Sequence, residues 1–369
     1  MSDPVEVAAA YLNGGRLAEA ETICRRLLTS RPEDPQALHL LARAANVRGA
    51  HHQALEFVVR ARRGDLAHLQ VESAVAYRGL GASAPALAAA RRAVALAPDV
   101  PNGYQTLASL LYPGDDYRRV LERMHACLQP ASYVEIGVET GASLVLANPP
   151  TVAVGIDPRP RLLAPPRTVC KIFPLASDDY FARRDLRRDL EADRVGLAFI
   201  DGLHTFDQAL RDLVNIERCA DAGTVVLIHD CLAVDALTAE RERKTAFWSG
   251  DVWKLMPILR EFRPDLQVFT IATGPTGLGV VTGLDPQSTV LADHFDRIAA
   301  TWAAMPFDPD PDRRGEQAAV VANRWEEVEA RLRGARLGGA PPGSSERRCR
   351  GARSDIAVAP LDKVRWDRR

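Results

Sequence analysis

The sequence predicts a multidomain chain in which α-helical repeats precede an α/β sheet that is parallel except for its last strand. Three observations predict this fold class. A glycine–alanine pattern recurs with a period near 34 in the first hundred residues, short β-branched runs alternate with helical stretches in the middle, and two late strands are joined by only four residues.

The first hundred residues contain three copies of one pattern, a glycine followed five residues later by an alanine. The copies are Gly15 with Ala20, Gly49 with Ala54, and Gly81 with Ala86. A repeat of this length is typical of stacked helical hairpins, with small residues where helices cross. Residues 1–112 resemble tetratricopeptide (TPR) repeats, and residues 102–112 should form a closing helix. Such repeats present a concave surface to a peptide, a protein partner or a second copy. The alternative is a scaffold that only stabilises the rest of the chain.

The middle of the chain alternates strand and helix signals. Strands are expected at 133–137, 152–157, 195–201 and 224–230, with a helix over 205–220. This alternation is typical of a parallel sheet with helices on both faces. Strands at 266–272 and 277–283 are joined by "TGPT", which is too short for a parallel crossover, so this pair should be antiparallel.

These signals divide the chain into a helical repeat domain at 1–112, an α/β domain at 113–310 and a C-terminal helix at 311–337. The remainder, 338–369, is rich in glycine, proline, serine and arginine. It is predicted to be a disordered, mildly basic tail because such a composition cannot bury a core.

The overall composition, with 47% hydrophobic and 26% charged residues, is that of ordinary globular domains. The formal net charge of −1 gives no electrostatic reason to expect a nucleic-acid partner. No stretch has the roughly eighteen apolar residues that span a membrane, and the N-terminus lacks the basic-then-apolar pattern of a secretory signal. Six scattered cysteines without a C-x-x-C pair are typical of reduced thiols. We therefore expect a cytoplasmic protein.

A strand, a glycine turn and the start of a helix are predicted in "VEIGVETGAS", residues 134–143. Gly137 and Gly141 allow the backbone to approach a ligand closely, and a helix N-terminus offers unpaired N–H groups. Asp157 ends the next strand, where a carboxylate can accept both hydroxyls of a ribose. Glu135 would lie near a positively charged amino-acid moiety. The pattern indicates a nucleoside site, although G-x-x-x-G differs from the dinucleotide fingerprint. The alternative is a tight strand–helix turn with an exposed acid.

Two further strands end on ionisable side chains. Asp201 and His204 follow one strand, and His229 and Asp230 end the next. Ligands of open α/β sheets bind outside the carboxyl ends of the strands. Two carboxylates and an imidazole there suit either a divalent ion or proton transfer. Structural roles are the alternatives: Asp201 would cap the following helix and Asp230 would bond to the next loop. For His229 we favour a buried, hydrogen-bonded strand residue.

The segment from Tyr133 to Thr282 resembles class I S-adenosylmethionine-dependent methyltransferases, and among them the macrocin-type O-methyltransferases. The resemblance rests on E-x-G-x-x-x-G-x-S at 135–143, I-D-G-x-H at 200–204 and H-D at 229–230, in that order. It covers a little under half the chain. It implies a seven-stranded Rossmann-like sheet with an antiparallel last strand, and S-adenosyl-L-methionine as the cofactor.

The resemblance also implies roles for single residues. The implied cofactor-binding set is Glu135, Gly137 and Gly141 around the methionine part and ribose, Asp157 on the ribose diol, and Ser177 and Asp178 at the adenine. His204 is the implied general base. Asp201 and Asp230 are the implied ligands of a metal such as Mg²⁺, which would lower the pKa of the attacking hydroxyl. Some relatives transfer methyl groups without a metal.

Residues 239–259 lie where this superfamily commonly forms its acceptor wall. Trp248 and Trp253 could stack on a sugar or aromatic ring. Three basic residues could hold an acidic group, although we favour a solvated face for them: Arg241, Arg243 and Lys244. The apolar residues that follow have the helical spacing of a core-facing helix.

The sequence thus predicts a cytoplasmic S-adenosylmethionine-dependent O-methyltransferase that acts on a sugar, glycan or small hydroxylated metabolite. Its TPR-like domain would bind a protein partner or another copy. Two alternatives remain open. One is an interaction scaffold whose methyltransferase-like half is inactive, and the other is a metal-dependent hydrolase, which leaves the glycine turn and Asp157 unexplained.

Overall fold

A computed structural model describes residues 3–61 and 66–337 of the chain. One compact unit ends at Leu110 and a second begins at Leu111. The predicted tail at 338–369 lies outside the described residues. Among the described helices, none is both long and apolar enough to cross a membrane.

The first unit is built from helical hairpins. Its helices are α1 (Pro4–Asn13), α2 (Leu17–Ser30), α3 (Pro35–Val47), α4 (His51–Arg60), α5 (Ala67–Gly79), α6 (Ser83–Leu96) and α7 (Pro101–Leu111). Gly15, Gly49 and Gly81 each lie in a hairpin turn with φ between 73° and 76°, a conformation that favours glycine. The three repeat alanines are buried between helices. The predicted helical hairpins and closing helix are confirmed.

The second unit is centred on an eight-stranded sheet. Its strands are β1 (Ser132–Ile136), β2 (Val152–Ile156), β3 (Cys170–Phe173), β4 (Leu197–Ile200), β5 (Val225–His229), β6 (Gln267–Ile271), β7 (Leu278–Thr282) and β8 (Val320–Val321). Their order is β3-β2-β1-β4-β5-β7-β6-β8. Strand β7 is antiparallel to both β5 and β6, and the other pairs are parallel. The predicted antiparallel hairpin is confirmed.

Two strands extend the prediction. Neither was predicted: β3 is four residues long and half-buried, and β8 adds two residues to the edge beside β6. The C-terminal helix predicted over 311–337 is wrong as a single element. The β-branched pair of β8 interrupts it and leaves two helices.

Helices cover both faces of the sheet. They are α8 (Tyr117–Leu128), α9 (Ser177–Arg183), α10 (Leu186–Leu190), α11 (Phe206–Glu217), α12 (Leu255–Phe262), α13 (Val290–Asp293), α14 (Phe295–Ala303), α15 (Pro311–Gln317) and α16 (Trp325–Leu337). Helices α11 and α12 belong to the core that contains Val134 and Ile136. Helices α8 and α16 belong to the core that contains Tyr133. Successive residues of β1 therefore face opposite layers, as the pleat of a strand requires.

Candidate active site

The ionisable residues that follow β4 and β5 meet at one edge of the sheet. The two strands are parallel neighbours in which Ile200 pairs with Ile228, so their carboxyl ends lie side by side. The Nδ1 atom of His229 is 3.0 Å from Oδ1 of Asp201 and 3.4 Å from Oδ1 of Asp230. His229 is therefore buried and hydrogen-bonded, as expected, but it also joins the two carboxylates.

His204 extends this cluster towards solvent. Its Nδ1 contacts Oδ2 of Asp230, and 30% of its side chain is exposed. Both residues have φ near +60°, a strained conformation for a side chain larger than glycine that is common at functional sites. A Cβ atom at Gly250 would overlap the carbonyl oxygen of His204, so the next loop lies directly against this turn.

Trp248 holds one face of the His204 ring. The two ring centroids are 5.3 Å apart with an interplanar angle of 27°, which is a stacked arrangement. The indole nitrogen of Trp248 donates a hydrogen bond of 2.6 Å to the carbonyl oxygen of Glu240. Trp248, predicted to stack on a substrate ring, thus stacks on the imidazole.

The charges of the cluster alternate along its length. Burial alone would lower the pKa of His229, but the charges of Asp201 and Asp230 raise it to about 9. Burial alone would also lower the pKa of His204, but the charge of Asp230 raises it, and the net effect is a raised pKa. Burial would raise the pKa of Asp201, and the charge of His229 outweighs this and lowers it. At neutral pH His229 is therefore protonated and bridges two carboxylates.

The same cluster is where a metal was predicted. One ligand atom each of Asp201, His229 and Asp230 lies within 4.8 Å of the others. However, one of these three ligands is an imidazole, and Oδ1 of Asp230 accepts the hydroxyl of Thr276. Mg²⁺ requires a near-octahedral set of oxygens. The residues present therefore fit a proton-bridged cluster better than a magnesium site.

The glycine turn lies against this cluster. Gly137 has φ of 89°, and a Cβ atom there would lie 1.9 Å from the carbonyl oxygen of Asp201. Gly141 has φ of 74°, and a Cβ atom there would lie 2.5 Å from Cδ2 of Leu162. Backbone conformation favours glycine at both positions, and close packing against backbone adds to this at Gly137. Gly137 brings the end of β1 against the end of β4.

The helix predicted after the glycine turn is wrong. A single 3₁₀ turn, Leu144–Leu146, follows instead. The sequence continues as Asn148, Pro149 and Pro150, and proline both lacks an N–H donor and excludes the helical conformation from the residue before it. The loop therefore offers backbone N–H groups of a turn and no helix N-terminus.

Asp157 joins the glycine turn to the loop after β2. Its two carboxylate oxygens accept hydrogen bonds from the backbone N–H groups of Glu139, at 2.8 Å, and Arg159, at 2.6 Å. A carboxylate has about four lone-pair positions, so each oxygen can accept a second bond. Asp157 is partly exposed and lies on the same edge as Gly137, whose N–H bonds to Ile156.

Glu135 lies behind the turn and not on its surface. It has no exposed area, and it accepts hydrogen bonds from Tyr133, at 2.6 Å, and Ser143, at 2.8 Å. Burial raises its pKa to about 8, against the lowering effect of these two bonds. The expectation that Glu135 faces a ligand is corrected: it supports the turn through Ser143, because the alternation of β1 points it into the layer of Tyr133.

Ser177 and Asp178 begin α9 beside α11. Gln208 on α11 donates hydrogen bonds to both, of 3.2 and 3.0 Å, and to Asp212, of 3.2 Å. Asp212 was missed by the sequence analysis. It is 1% exposed, and burial raises its pKa to about 6. Asp212 also lines a cavity of about 10 Å³ with the Asp/His cluster, which is room for about one water molecule. Asp212 follows Gln208 by four residues, so both lie on the inner face of α11, and this spacing is the sequence signal that could have identified it.

The remaining candidates after β5 are engaged within the protein. Arg241 pairs with both oxygens of Asp207, at 2.8 and 3.0 Å. Lys244 pairs with Glu240, and Arg243 donates to backbone carbonyls. Trp253 is 7% exposed in a small apolar cluster. The preference for a structural role of the basic residues is thus supported by their contacts.

Comparison with known proteins finds one family to which this region is similar. Residues 134–231 match the family model described as a methyltransferase domain. The matched segment contains the glycine turn, Asp157 and the whole Asp/His cluster. The match covers about a quarter of the chain. No curated protein matches the sequence.

Several solved structures are similar to parts of the chain. An O-methyltransferase from Bacillus cereus in complex with SAH is 12% identical, with 47% of this chain and 84% of that chain covered and a TM-score of 0.35. An SAH-bound methyltransferase from Podospora anserina is 16% identical, with 46% and 78% covered and a TM-score of 0.35. A thermophilic TPR protein from Thermus thermophilus is 23% identical, with 34% and 70% covered and a TM-score of 0.27. Superpositions this weak do not assign an activity.

Proposed function

We propose that this protein is an S-adenosylmethionine-dependent O-methyltransferase that acts on a sugar or another small hydroxylated molecule. One observation carries the proposal. Within the segment that matches a methyltransferase domain, a carboxylate-paired imidazole, His204, follows Asp201, whose carbonyl lies against the glycine turn at the edge of the sheet. Ligands of open α/β sheets bind at this edge.

The cofactor would lie along the ends of β1 and β2. Asp157 would accept the ribose hydroxyls with the lone pairs that its two backbone bonds leave free. The backbone at Gly137 and Gly141 would line the methionine and ribose parts, and Ser177 and Asp178 would approach the adenine. Bound S-adenosylmethionine would supply an electrophilic methyl group.

His204 would remove the proton from the attacking hydroxyl. Oδ2 of Asp230 contacts Nδ1 of His204, and a proton held on Nδ1 against this carboxylate would leave the basic lone pair on Nε2. Trp248 fixes the plane of the ring by stacking. The raised pKa of His204 makes its neutral form a stronger base than an exposed imidazole.

No step in this mechanism uses a metal ion. The sequence-based assignment of Mg²⁺ to Asp201 and Asp230 remains a prediction, and the imidazole that lies between the two carboxylates argues against it. Rates that survive exhaustive chelation, with no gain when Mg²⁺ is restored, would support the proton-bridged cluster. The helical unit remains a proposed surface for a protein partner or a second copy.

The first test is calorimetric titration with S-adenosylmethionine. Asp157→Asn should weaken binding by about tenfold or more, because one acceptor for the ribose hydroxyls is lost. Asp221→Asn is the matched control. Asp221 also accepts a backbone N–H, from Gly223 at 2.9 Å, but it precedes β5 at the opposite edge of the sheet. A wild type that binds no cofactor, or equal losses in both variants, would refute the proposal.

A further inference from the structure

A second, larger cavity lies in the methyltransferase unit. Its volume is about 200 Å³. Its walls come from the segment after β5, the start of α12, α15 and the residues before α8. No residue with an assigned role in the proposed reaction lines it. Its size matters because an apolar cavity of about 150 Å³ is large enough to bind benzene.

Aromatic side chains form much of the wall. Trp253 and Phe307 meet edge to face with ring centroids 5.5 Å apart. The hydroxyl of Tyr112 donates a hydrogen bond of 3.4 Å to the carbonyl oxygen of Ala233, so its polar end is engaged and its ring faces the cavity region. Leu232 adds an aliphatic contact. Such a wall favours a flat, apolar group.

One charged group interrupts the apolar wall. The guanidinium of Arg314 lies over the ring of Phe307, 4.4 Å from its centroid, and donates a hydrogen bond of 2.6 Å to the carbonyl oxygen of Asp308. No carboxylate in residues 3–61 or 66–337 forms an ion pair with Arg314. A guanidinium with donors left over is suited to a carboxylate.

Gly315, the next residue, leaves space beside this cation. No heavy atom lies within 4 Å of the position that its Cβ atom would take, and its φ is not in the left-handed region. Arg260 fixes the end of α15 by donating to the carbonyl oxygens of Glu316 and Gln317. Gly315 thus lines a wall that α12 holds in place.

The cavity is connected to the Asp/His cluster by a short stretch of chain. Cys231 and Leu232 line the cavity and directly follow Asp230. The N–H of Leu232 bonds to the carbonyl oxygen of Thr276 at 2.6 Å, and the hydroxyl of Thr276 donates to Asp230. The cavity therefore lies on the carboxyl side of β5 and begins one residue after Asp230, the carboxylate that contacts His204.

We propose that this cavity binds the methyl acceptor, and that the acceptor has an apolar, ring-sized end bearing a carboxylate. The ring would pack between Tyr112, Trp253 and Phe307, and the carboxylate would pair with Arg314. This assignment names an acceptor class and rests on the proposed methyltransferase function. It also makes a binding prediction that can be tested without turnover.

The test uses ligand-observed NMR titrations with three probes that share one ring: benzoate, benzyl alcohol and benzylamine. Benzoate should bind best and benzylamine worst. Gly315→Leu fills the cavity and should weaken benzoate binding by about tenfold or more. Gly334→Leu is the matched control, because Gly334 lies within α16 and also has no heavy atom within 4 Å of its Cβ position. Arg314→Gln should weaken benzoate but leave benzyl alcohol unchanged.

The outcomes separate this proposal from the one before it. Benzoate binding that survives Gly315→Leu, or equal affinities for benzoate and benzylamine, would overturn the cavity assignment. Thermal melts of each variant exclude unfolding as the cause of a loss. S-adenosylmethionine titrations run in parallel test the cofactor separately. For Gly315→Leu we expect benzoate binding to be lost while cofactor binding is kept. If the wild type bound no cofactor, the cavity could not be an acceptor site, but its preference for a ring with a carboxylate would still be tested by the three probes.

Discussion

Glu135→Gln tests how the interior beneath the glycine turn is built. The Glu135 carboxyl has no exposed area, and burial raises its pKa from 4.5 to about 8. The unfolded chain releases this proton near the ordinary value, whereas the folded protein keeps it. Between these two values the folded state binds more protons than the unfolded state, so the free energy of unfolding falls as pH rises.

The size of the effect follows from the pKa change. A tenfold change in proton affinity is worth about 1.4 kcal/mol at 25 °C. The stabilising contribution of the protonated Glu135 is therefore complete below about pH 4.5, and roughly 5 kcal/mol of it is lost as pH rises through about 8. Glutamine cannot ionise, so Glu135→Gln should lose this part of the pH dependence. The amide also replaces one of the two oxygens that accept separately from Tyr133 and Ser143, which costs about 1 kcal/mol at every pH.

The assay is urea unfolding followed by far-ultraviolet circular dichroism at unit steps from pH 5 to pH 9. Other titrating groups, including His229, contribute equally to both proteins, so the difference between the two curves isolates Glu135. The variant should gain on the wild type as pH rises, and should exceed it in stability at pH 9. Parallel curves for the two proteins would refute the assignment of a buried, protonated carboxyl.

Three further predictions concern the turn and the imidazole. Gly137→Ala should lower the free energy of urea unfolding by about 3 to 5 kcal/mol, because a Cβ atom would overlap a backbone carbonyl. The control is Gly283→Ala, where φ is 82° and no atom is closer than 3.8 Å, and this variant should lose about 1 to 2 kcal/mol. Equal losses in the two variants would contradict the packing argument. Trp248→Leu should lower kcat about tenfold without changing cofactor affinity, because the His204 ring loses its stacked partner. An unchanged kcat would show that stacking is not needed. His204, as the proposed base, would act only when neutral, so activity should fall as pH drops through its raised pKa. Asp230→Asn should lower single-turnover rates roughly 10²- to 10⁴-fold and should move the acid limb of the pH–rate profile to lower pH. An acid limb at unchanged pH would show that another group titrates there.

The sheet and its edge could be predicted because their signals are local. The β-branched runs, the four-residue hairpin and the acids at strand ends each depend on a short stretch of sequence. They were sufficient to bring Asp201, His204 and Asp230 to one edge. Strands β3 and β8 carried too little local signal, since one is half-buried and the other has two residues.

The contacts within the cluster could not be predicted in the same way. The position of His229 between two carboxylates depends on the register of β4 against β5, which no single segment determines. The stacking of Trp248 on His204 depends on a loop that returns to the edge after more than forty residues. Two errors, in contrast, were avoidable. The pleat of β1 already directed Glu135 away from the surface, and the prolines at 149–150 already excluded a long helix.

The central claim is that S-adenosylmethionine donates a methyl group to an oxygen deprotonated by His204. The most direct measurement is transfer of radiolabelled methyl from S-adenosylmethionine into a deproteinised extract of small molecules by the wild type and by His204→Gln. We expect labelled product with the wild type, and roughly 10²- to 10⁴-fold less with the variant at unchanged cofactor affinity. No label from the wild type, or equal labelling by both proteins, would contradict the claim.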